Sequence, residues 1–266
     1  MNQITVPDIL KSKNKRKLAM VTAYDYSMAR LVDQCDIDIV LVGDSLGMVS
    51  LGHEDTLSVG MREMVHHTKA VSRGVKKALV VADMPFLSYQ AGVNRAVLNA
   101  GRLLKEARAG AVKIEGGTSV TPQVKAMVEA GIPVTGHLGL TPQSIAKFGG
   151  FKVQGRGESR GIILSQAREL EKAGCFCLVL EAIPPSLAEE ITKSINIPTI
   201  GIGAGPYCDG QVLVINDLLG MNDDFTPKFV KKYSELSATI RQAVSAYASE
   251  VKSGTFPGPE HCYRDD

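Results

Sequence analysis

Short apolar runs recur along the chain and alternate with stretches whose apolar positions follow the period of a helix. Runs of this length, bounded by glycine, proline or acidic residues, predict β-strands. Eight strands are predicted, over residues 18–23, 38–43, 78–83, 111–115, 132–137, 175–181, 197–202 and 211–215. Apolar strands that alternate with amphipathic helices are typical of a parallel sheet whose outer face is covered by those helices.

Eight such repeats favour a closed (β/α)8 TIM barrel, an α/β fold, over an open doubly wound sheet, and this chain length suits one domain. The gap between the seventh and eighth strands is too short for a helix, and we expect the amphipathic segment 227–251 to supply the last one. The predicted organisation is a single barrel domain over residues 1–266. The N-terminal segment 1–17 and the C-terminal helix and tail 227–266 are expected to pack on the barrel.

Four of the predicted strands end on an acidic residue: Asp44, Asp83, Glu115 and Glu181. The carboxyl ends of the strands of a parallel barrel meet at one rim, and that rim carries the active site in barrel enzymes. Because alternate residues of a strand share a face, we expect the four side chains to point inward, with Asp44 continuing the stripe of Val40 and Val42. The sequence therefore predicts a cluster of carboxylates at one end of the barrel.

Carboxylates at close range need a counter-charge. Two of them about 4 Å apart repel by roughly 4 kcal/mol at an effective dielectric of about 20. Asp44, Asp83 and Glu115 offer only hard oxygen ligands, which suit Mg²⁺, and no cluster of His or Cys residues favours Zn²⁺. Lys113 shares the inward face of its strand with Glu115 and is expected to pair with an acid or with a substrate carboxylate. Taken singly, each acid is also typical of a helix cap or an ion pair.

Glu181 and His137 end the sixth and fifth predicted strands. The stripe below Glu181 is apolar, which predicts a raised carboxyl pKa and the role of a general base, the alternative being a solvated loop carboxylate. His137 is expected either to make a structural hydrogen bond or to orient a substrate and stabilise developing charge. The glycine-rich segment 138–160 follows it on the same rim, as a lid over the site or as a flexible insertion.

Composition and charge argue against a nucleic-acid-binding protein, a membrane protein and a disulfide-stabilised protein. The 30 basic and 28 acidic side chains are spread along the chain and give a net charge of +2, which argues against nucleic acid as a partner. The one dense basic run, at residues 11–17, is interpreted as a solvated loop. No apolar window has the length of a membrane span, so no membrane partner is expected. Five cysteines without regular spacing argue against a disulfide framework and favour a reducing, cytoplasmic location. The run GlyIleGlyAlaGly at 201–205 lacks the third glycine of a dinucleotide-binding turn, and we interpret it as a tight rim turn.

Several segments are long enough to be compared with known families. They are ThrAlaTyrAspTyrSer from residue 22, LeuValGlyAspSerLeuGlyMet from 41, AlaAspMetProPhe from 82, LysIleGluGlyGly from 113, GlyHisLeuGlyLeuThrProGlnSer from 136, ValGlnGlyArgGly from 153, LeuGluAlaIlePro from 180, GlyIleGlyAlaGly from 201 and AspGlyGlnValLeuVal from 209. Together they span almost the whole chain, and they resemble segments of the ketopantoate hydroxymethyltransferases.

The resemblance implies a barrel of the phosphoenolpyruvate mutase and isocitrate lyase type. It also implies a Mg²⁺-dependent transfer of a hydroxymethyl group from 5,10-methylenetetrahydrofolate to the small molecule 3-methyl-2-oxobutanoate. The product would be 2-dehydropantoate, in the biosynthesis of pantothenate and coenzyme A. A homo-oligomer, specifically a homodecamer, is implied as well.

The same resemblance assigns roles to individual residues. Asp44 and Asp83 would hold the metal and lie beside the substrate, with Glu115 completing the metal site directly or through water. Ser45 and Lys113 would bind the carboxylate of the keto acid. His137 belongs to the implied substrate site, and Glu181 would accept the proton.

Two other interpretations stay open. A Mg²⁺-dependent lyase or mutase acting on another α-keto acid would be expected to carry a reactive cysteine in a rim loop, and the segment 116–122 contains none. A metal-binding or scaffolding barrel would keep the acidic residues without turnover. An activity assay separates that last possibility from an enzyme.

Overall fold

The structure, a computed structural model, describes residues 3–150, 152–222 and 226–264. The chain divides into two compact units, residues 1–214 and 215–266. In the first unit eight parallel strands form a closed barrel in sequence order, and the last strand pairs with the first. The strands are β1 Leu18–Thr22, β2 Ile39–Val42, β3 Leu79–Asp83, β4 Ala111–Glu115, β5 Val134–Gly139, β6 Cys177–Glu181, β7 Thr199–Ile202 and β8 Gly210–Leu213. The predicted (β/α)8 barrel and its eight strands are confirmed.

Helices lie between most of the strands. Those of the first unit are α1 Val6–Lys11, α2 Tyr26–Val32, α3 Leu46–Val49, α4 Met61–Gly74, α5 Val93–Lys105, α6 Thr121–Glu129, α7 Ile145–Phe148, α8 Ser159–Ala173 and α9 Pro185–Ser194. Residues 203–209 join β7 to β8 without a helix, as their number predicted. Gly203 and Gly205 there have positive φ angles of 62° and 79°, which makes the run at 201–205 a tight turn at the rim.

Alternate residues of the strands fill the barrel interior with an apolar cluster. Leu41, Val81 and Val179 are among its members, and Ile9 of α1 joins them with no exposed surface. Ile4 and Val6 pack against the same cluster. Since Leu18 follows α1 closely at the start of β1, these residues cover the amino end of the barrel and leave the carboxyl end for polar side chains.

The predicted facing of β2 was wrong. Ile39 and Leu41 belong to the interior cluster, whereas Val40 and Val42 do not. The strand ends at Val42, and the turn that follows breaks the alternation on which the prediction rested. Asp44 still reaches the rim, because its position is set by this turn and not by the pleat of the strand.

The described residues of the second unit form two α-helices, α10 Ile215–Leu218 and α11 Leu236–Ser253. The helix predicted from residue 227 therefore begins nine residues later, at Leu236. Just before it the backbone pairs with the end of α10, since the amide of Tyr233 donates to Leu218 O at 2.8 Å and that of Leu236 to Leu219 O at 2.9 Å. Packing of residues 227–266 on the barrel stays a prediction. Among the described residues, every helix is too short or too polar to cross a bilayer.

Candidate active site

Polar side chains from five strand ends meet at the carboxyl rim of the barrel. Five of them are buried, with between 2% and 5% of their surface exposed: Asp44, Asp83, Lys113, Glu115 and His137. The side chain of Glu181 is 16% exposed and lies at the edge of this group. The structure thus brings together the acids, the lysine and the histidine that the sequence predicted for one rim, while the roles assigned to them stay predictions.

Lys113 lies at the centre of the cluster. Its Nζ is 3.3 Å from Asp83 Oδ1 and 3.5 Å from Glu115 Oε1. Burial lowers the pKa of Lys113, but the carboxylates of Asp83, Glu115 and Asp44 raise it by more, so the pKa is raised overall. The lysine therefore remains protonated and serves as the internal counter-charge of the acids.

The two aspartates are held next to each other. The backbone amide of Asp44 donates to Asp83 Oδ2 at 3.0 Å, which ties the turn after β2 to the end of β3. Burial, followed by repulsion from Asp83 and Glu115, raises the pKa of Asp44 well above its usual range. The pKa of Asp83 is also raised, chiefly by burial, although Lys113 opposes the shift. The positive charge near these two carboxylates therefore does not fully compensate their negative charge.

His137 connects the acid cluster to Glu181. Its Nδ1 lies 3.1 Å from Lys113 Nζ and 3.3 Å from Glu115 Oε1, and its Nε2 lies 3.1 Å from Glu181 Oε2. Burial and Lys113 lower the pKa of His137, but Glu115 and Glu181 raise it by more. Above that pKa, the Lys113 ammonium donates to Nδ1, so the ring proton resides on Nε2, which makes no hydrogen bond of good geometry to Glu181.

The backbone around Glu181 is unusual. Ala182 has a φ of +46°, a left-handed conformation that costs an alanine free energy and is frequent at functional sites. Gly139, paired with Glu181 across the sheet, has a φ of +99°. A Cβ at Gly139 would collide with the carbonyl oxygen of Glu181. The predicted apolar surroundings of Glu181 are incomplete, because the imidazole of His137 is its polar neighbour.

Sequence reasoning missed Gln143, which fixes the acids in place. Its Nε2 donates to Asp44 Oδ2 at 2.7 Å and to Met84 O at 2.9 Å, and its backbone amide donates to Glu115 Oε2 at 3.0 Å. Its Oε1 accepts from the hydroxyl of Tyr89 at 2.7 Å. Gln143 lies within the segment 138–160, so this part of the predicted lid or insertion is buried in the site.

Ser45 is half-buried beside Asp44. Its hydroxyl and that of Tyr24 lie 2.8 Å apart and share a hydrogen bond. His67 of α4 approaches the carbonyl oxygen of Tyr24 with its Nδ1 at 2.7 Å. This series of contacts orients Ser45.

The residues present suit a hard cation held by few protein ligands. Asp83 Oδ1 and Glu115 Oε1 are buried and accept no hydrogen bond of good geometry, so each has an oxygen available. No group of three or more His, Cys, Asp or Glu side chains in the described part of the chain is arranged to enclose a metal ion. Mg²⁺ is usually held by one or two carboxylates together with water and substrate oxygens, and such a site fits Asp44 and Asp83.

Comparison with known proteins identifies the family. A family model described as ketopantoate hydroxymethyltransferase matches residues 3–259. The chain belongs to the ketopantoate hydroxymethyltransferase family. A 3-methyl-2-oxobutanoate hydroxymethyltransferase of Syntrophobacter fumaroxidans is 64% identical over 98% of this chain and 93% of that protein. One of Clostridium novyi is 58% identical over 98% of this chain and 96% of its own length. The family membership makes this chain an enzyme that transfers a one-carbon group.

Solved structures of similar fold agree with the predicted barrel type. The 2,3-dimethylmalate lyase of the phosphoenolpyruvate mutase and isocitrate lyase superfamily matches with a TM-score of 0.60 at 14% identity, over 100% of this chain and 92% of that one. The phosphoenolpyruvate phosphomutase of Streptomyces platensis subsp. rosaceus matches with a TM-score of 0.62 at 14% identity, over 98% of this chain and 92% of that one. The hydroxymethyltransferase family thus shares its fold with lyases and mutases of that superfamily.

Proposed function

We propose that this chain catalyses the reaction named in its relatives and transfers a hydroxymethyl group to 3-methyl-2-oxobutanoate. The donor in this proposal is 5,10-methylenetetrahydrofolate, and the product, 2-dehydropantoate, is a precursor of pantothenate. The observation that carries the proposal is the unbroken series of contacts from Asp83 through Lys113 and His137 to Glu181. In this series the ammonium of Lys113, which can bind an anion, and the carboxylate of Glu181, which can accept a proton, lie on opposite sides of His137.

The proposed metal is Mg²⁺, with Asp44 and Asp83 as its protein ligands and Glu115 in contact directly or through water. When bound, Mg²⁺ acts as a Lewis acid toward the keto and carboxylate oxygens of the substrate. The amide of Gln143 donates to Asp44 Oδ2, so Asp44 would bind the metal through Oδ1. A hydrogen bond to the oxygen that does not bind the metal orients a ligating carboxylate.

Lys113 and Ser45 would bind the carboxylate of the keto acid. The Lys113 ammonium is already surrounded by acceptors, so a substrate carboxylate would join a charged network and not an isolated cation. The hydroxyl of Ser45, kept in place by Tyr24, is free to donate to a substrate oxygen when Tyr24 donates to it. His137 lies between this binding region and Glu181.

Glu181 would remove the proton from C3 of the keto acid. The proton passes to its carboxylate, and the electron pair of the C–H bond forms the enolate, whose C3 then makes the new bond to the methylene carbon of the folate. This attack breaks one of the two C–N bonds of that carbon, and the freed nitrogen takes up a proton. Water then breaks the second C–N bond: it provides the hydroxyl oxygen of the product and gives its proton to the other nitrogen as tetrahydrofolate leaves. His137 Nε2 lies 3.1 Å from Glu181 Oε2 without a hydrogen bond of good geometry, and the 16% exposed side chain of Glu181 can return its proton to solvent.

Hydrogen exchange at C3 tests this assignment. We expect NMR to show Mg²⁺-dependent replacement of the C3 proton of 3-methyl-2-oxobutanoate by deuterium, and Glu181→Gln to slow it by at least about a hundredfold. Glu189→Gln, on a partly exposed residue of α9 that pairs with Lys193, is the matched control and should exchange normally. Absence of exchange in the unaltered protein would remove the enolisation step, and full exchange in Glu181→Gln would remove the base.

Metal ligation is tested separately by calorimetry. Asp44→Asn and Asp83→Asn should each weaken Mg²⁺ binding at least about tenfold, because each removes a charged oxygen ligand. An unchanged affinity in either variant would take that aspartate out of the metal site. The proposal also includes a homodecamer in the cytoplasm, and sedimentation analysis of the purified chain tests the assembly.

A further inference from the structure

A cleft of about 270 Å³ lies outside the barrel, beside the loop that joins β3 to α5. Its lining includes Met61, Phe86, Leu87, Ser88, Arg95 and Arg102. Met61 begins α4, and the two arginines belong to α5, so the cleft lies between these helices at the carboxyl end of the barrel. None of the lining residues takes part in the acid cluster described above.

The cleft is positively charged. Arg95 is exposed and makes no hydrogen bond or ion pair within the described part of the chain. Arg102 pairs with Glu106 through Nε at 2.9 Å, which leaves the terminal nitrogens of its half-exposed guanidinium for another acceptor. No acidic residue is among the described residues that line the cleft, and the carboxylate of Glu63, which accepts from the amide of Gly60 at 3.0 Å, caps the start of α4. These features favour an anionic ligand.

The buried hydroxyl of Ser88, which has no hydrogen-bond partner, indicates a ligand in the cleft. Only 4% of the residue is exposed, and its Oγ has no hydrogen-bond partner, although its carbonyl oxygen accepts from Asn99 Nδ2 at 2.7 Å. A buried hydroxyl without a partner is destabilising, and such groups are rare unless a ligand or water completes them. Ser88 therefore supplies a donor to the wall of the cleft, next to the two arginines.

The remaining wall is apolar and strained. Phe86 is 37% exposed and Leu87 is 54% exposed. Leu87 has a φ of +61°, a conformation that costs a leucine free energy and is concentrated at ligand sites. Phe86 follows Asp83 by three residues, so its Cα lies within roughly 11 Å of that of Asp83. An aromatic ring lying against Phe86 would thus reach toward the acid cluster.

We propose that this cleft binds the glutamate end of the folate co-substrate. Arg95 and Arg102 pair with the glutamate carboxylates, Ser88 donates to one of them, and the aminobenzoyl ring packs against Phe86 and Leu87. Guanidinium groups pair well with carboxylates because two N–H groups meet two oxygens. The identity of the ligand rests on the proposed function, whereas the preference for a carboxylate end rests on the cleft itself.

Calorimetry with two ligands tests the proposal on the full-length protein. Tetrahydrofolate carries the glutamate, whereas the primary amide of tetrahydropteroic acid has a neutral carboxamide in its place and no carboxylate. We expect tetrahydrofolate to bind about tenfold more tightly to the unaltered protein, as loss of a charged contact in a partly exposed site implies. The double variant Arg95→Gln/Arg102→Gln should bind the two ligands equally. Arg168→Gln, on an exposed residue of α8, is the control and should keep the preference.

Each other result overturns the assignment. Equal binding of both ligands to the unaltered protein, no binding of either, or a preference that survives in the double variant would each refute it. A double variant that changes only the sedimentation coefficient would make the cleft a contact between copies of the chain. Deuterium exchange at C3 of the keto acid, measured in the same samples, does not use the cleft. If exchange is normal but the cleft does not bind the glutamate, only the folate assignment of the cleft is refuted and the proposed reaction is unaffected.

Discussion

Lys113→Met removes the positive charge at the centre of the buried acids while keeping a side chain of similar length. Nζ of Lys113 lies 3.3 Å from Asp83 Oδ1 and 3.5 Å from Glu115 Oε1. At an effective dielectric of about 20, each of these attractions amounts to about 5 kcal/mol before the cost of desolvation is subtracted. Breaking a buried network on one side typically destabilises a protein by about 3–5 kcal/mol, and we expect that loss of unfolding free energy here.

The pH dependence of the loss follows from the carboxyl groups. Asp44 and Asp83 already have raised pKa values in the folded state, and removing Lys113 raises them further. Consider a carboxyl group whose pKa is higher in the folded state than in the unfolded state. At pH values between these two pKa values, the folded protein binds more protons than the unfolded chain. The unfolding free energy therefore falls as the pH rises through that range, and recovers as the pH falls toward the ordinary aspartate value. Lys113→Met should show a steeper fall than the unaltered protein.

Urea denaturation between pH 5 and pH 8 measures both effects, with and without Mg²⁺. We expect Mg²⁺ to stabilise Lys113→Met more than the unaltered protein, because the cation replaces the missing charge. Lys125→Met is the matched control, since Lys125 and Glu129 are 3.9 Å apart and largely exposed, and it should change stability by less than about 0.5 kcal/mol. A loss below about 1 kcal/mol for Lys113→Met with an unchanged pH dependence would refute this account of the site.

Three further variants test other parts of the structure. Gln143→Met should lower the Mg²⁺ affinity measured by calorimetry about tenfold, because the amide that orients Asp44 is lost; an unchanged affinity would exclude that role. Asp33→Ala should lower the unfolding free energy by about 3 kcal/mol in urea, because its carboxylate accepts the backbone amides of residues 76–78, and a loss under about 1 kcal/mol would contradict this. Gly139→Ala should cost at least about 2 kcal/mol, through its positive φ and its collision with Glu181, whereas Gly161→Ala, on an open face of α8, should be tolerated.

The barrel was predictable because its signals are local. Each strand is a short apolar run with a clear end. Once a strand is recognised, the alternation of its residues gives the inward direction of the Asp83, Glu115 and Glu181 side chains. Lys113 could be placed beside Glu115 for the same reason. The position of Asp44 was correct for a different cause from the one assumed, because a turn and a hydrogen bond to Asp83 place it and no strand periodicity describes a turn.

Gln143 could not be predicted from periodicity. It belongs to a short 3₁₀ turn, Pro142–Ser144, in a glycine-rich segment, where neither a helical nor a strand pattern assigns a direction to a side chain. Its function depends on Asp44, Met84 and Glu115, which come from three other parts of the chain. The only sequence signal was its place in the motif GlyHisLeuGlyLeuThrProGlnSer, which begins at residue 136. Long-range hydrogen bonds of this kind appear only when the fold is assembled.

The charge of the cluster links the stability of the barrel to its proposed chemistry. Asp44, Asp83 and Glu115 together carry three negative charges when ionised, and Lys113 offsets one, which leaves a formal charge of −2 in a buried site. Two uncompensated negative charges are costly at low dielectric, and a divalent cation is the simplest ion that neutralises them. Glu181 stands apart from this balance because His137 separates it from the other acids and its side chain reaches solvent. The acid cluster is therefore suited to holding a cation and an anionic substrate, while Glu181 remains available to exchange a proton.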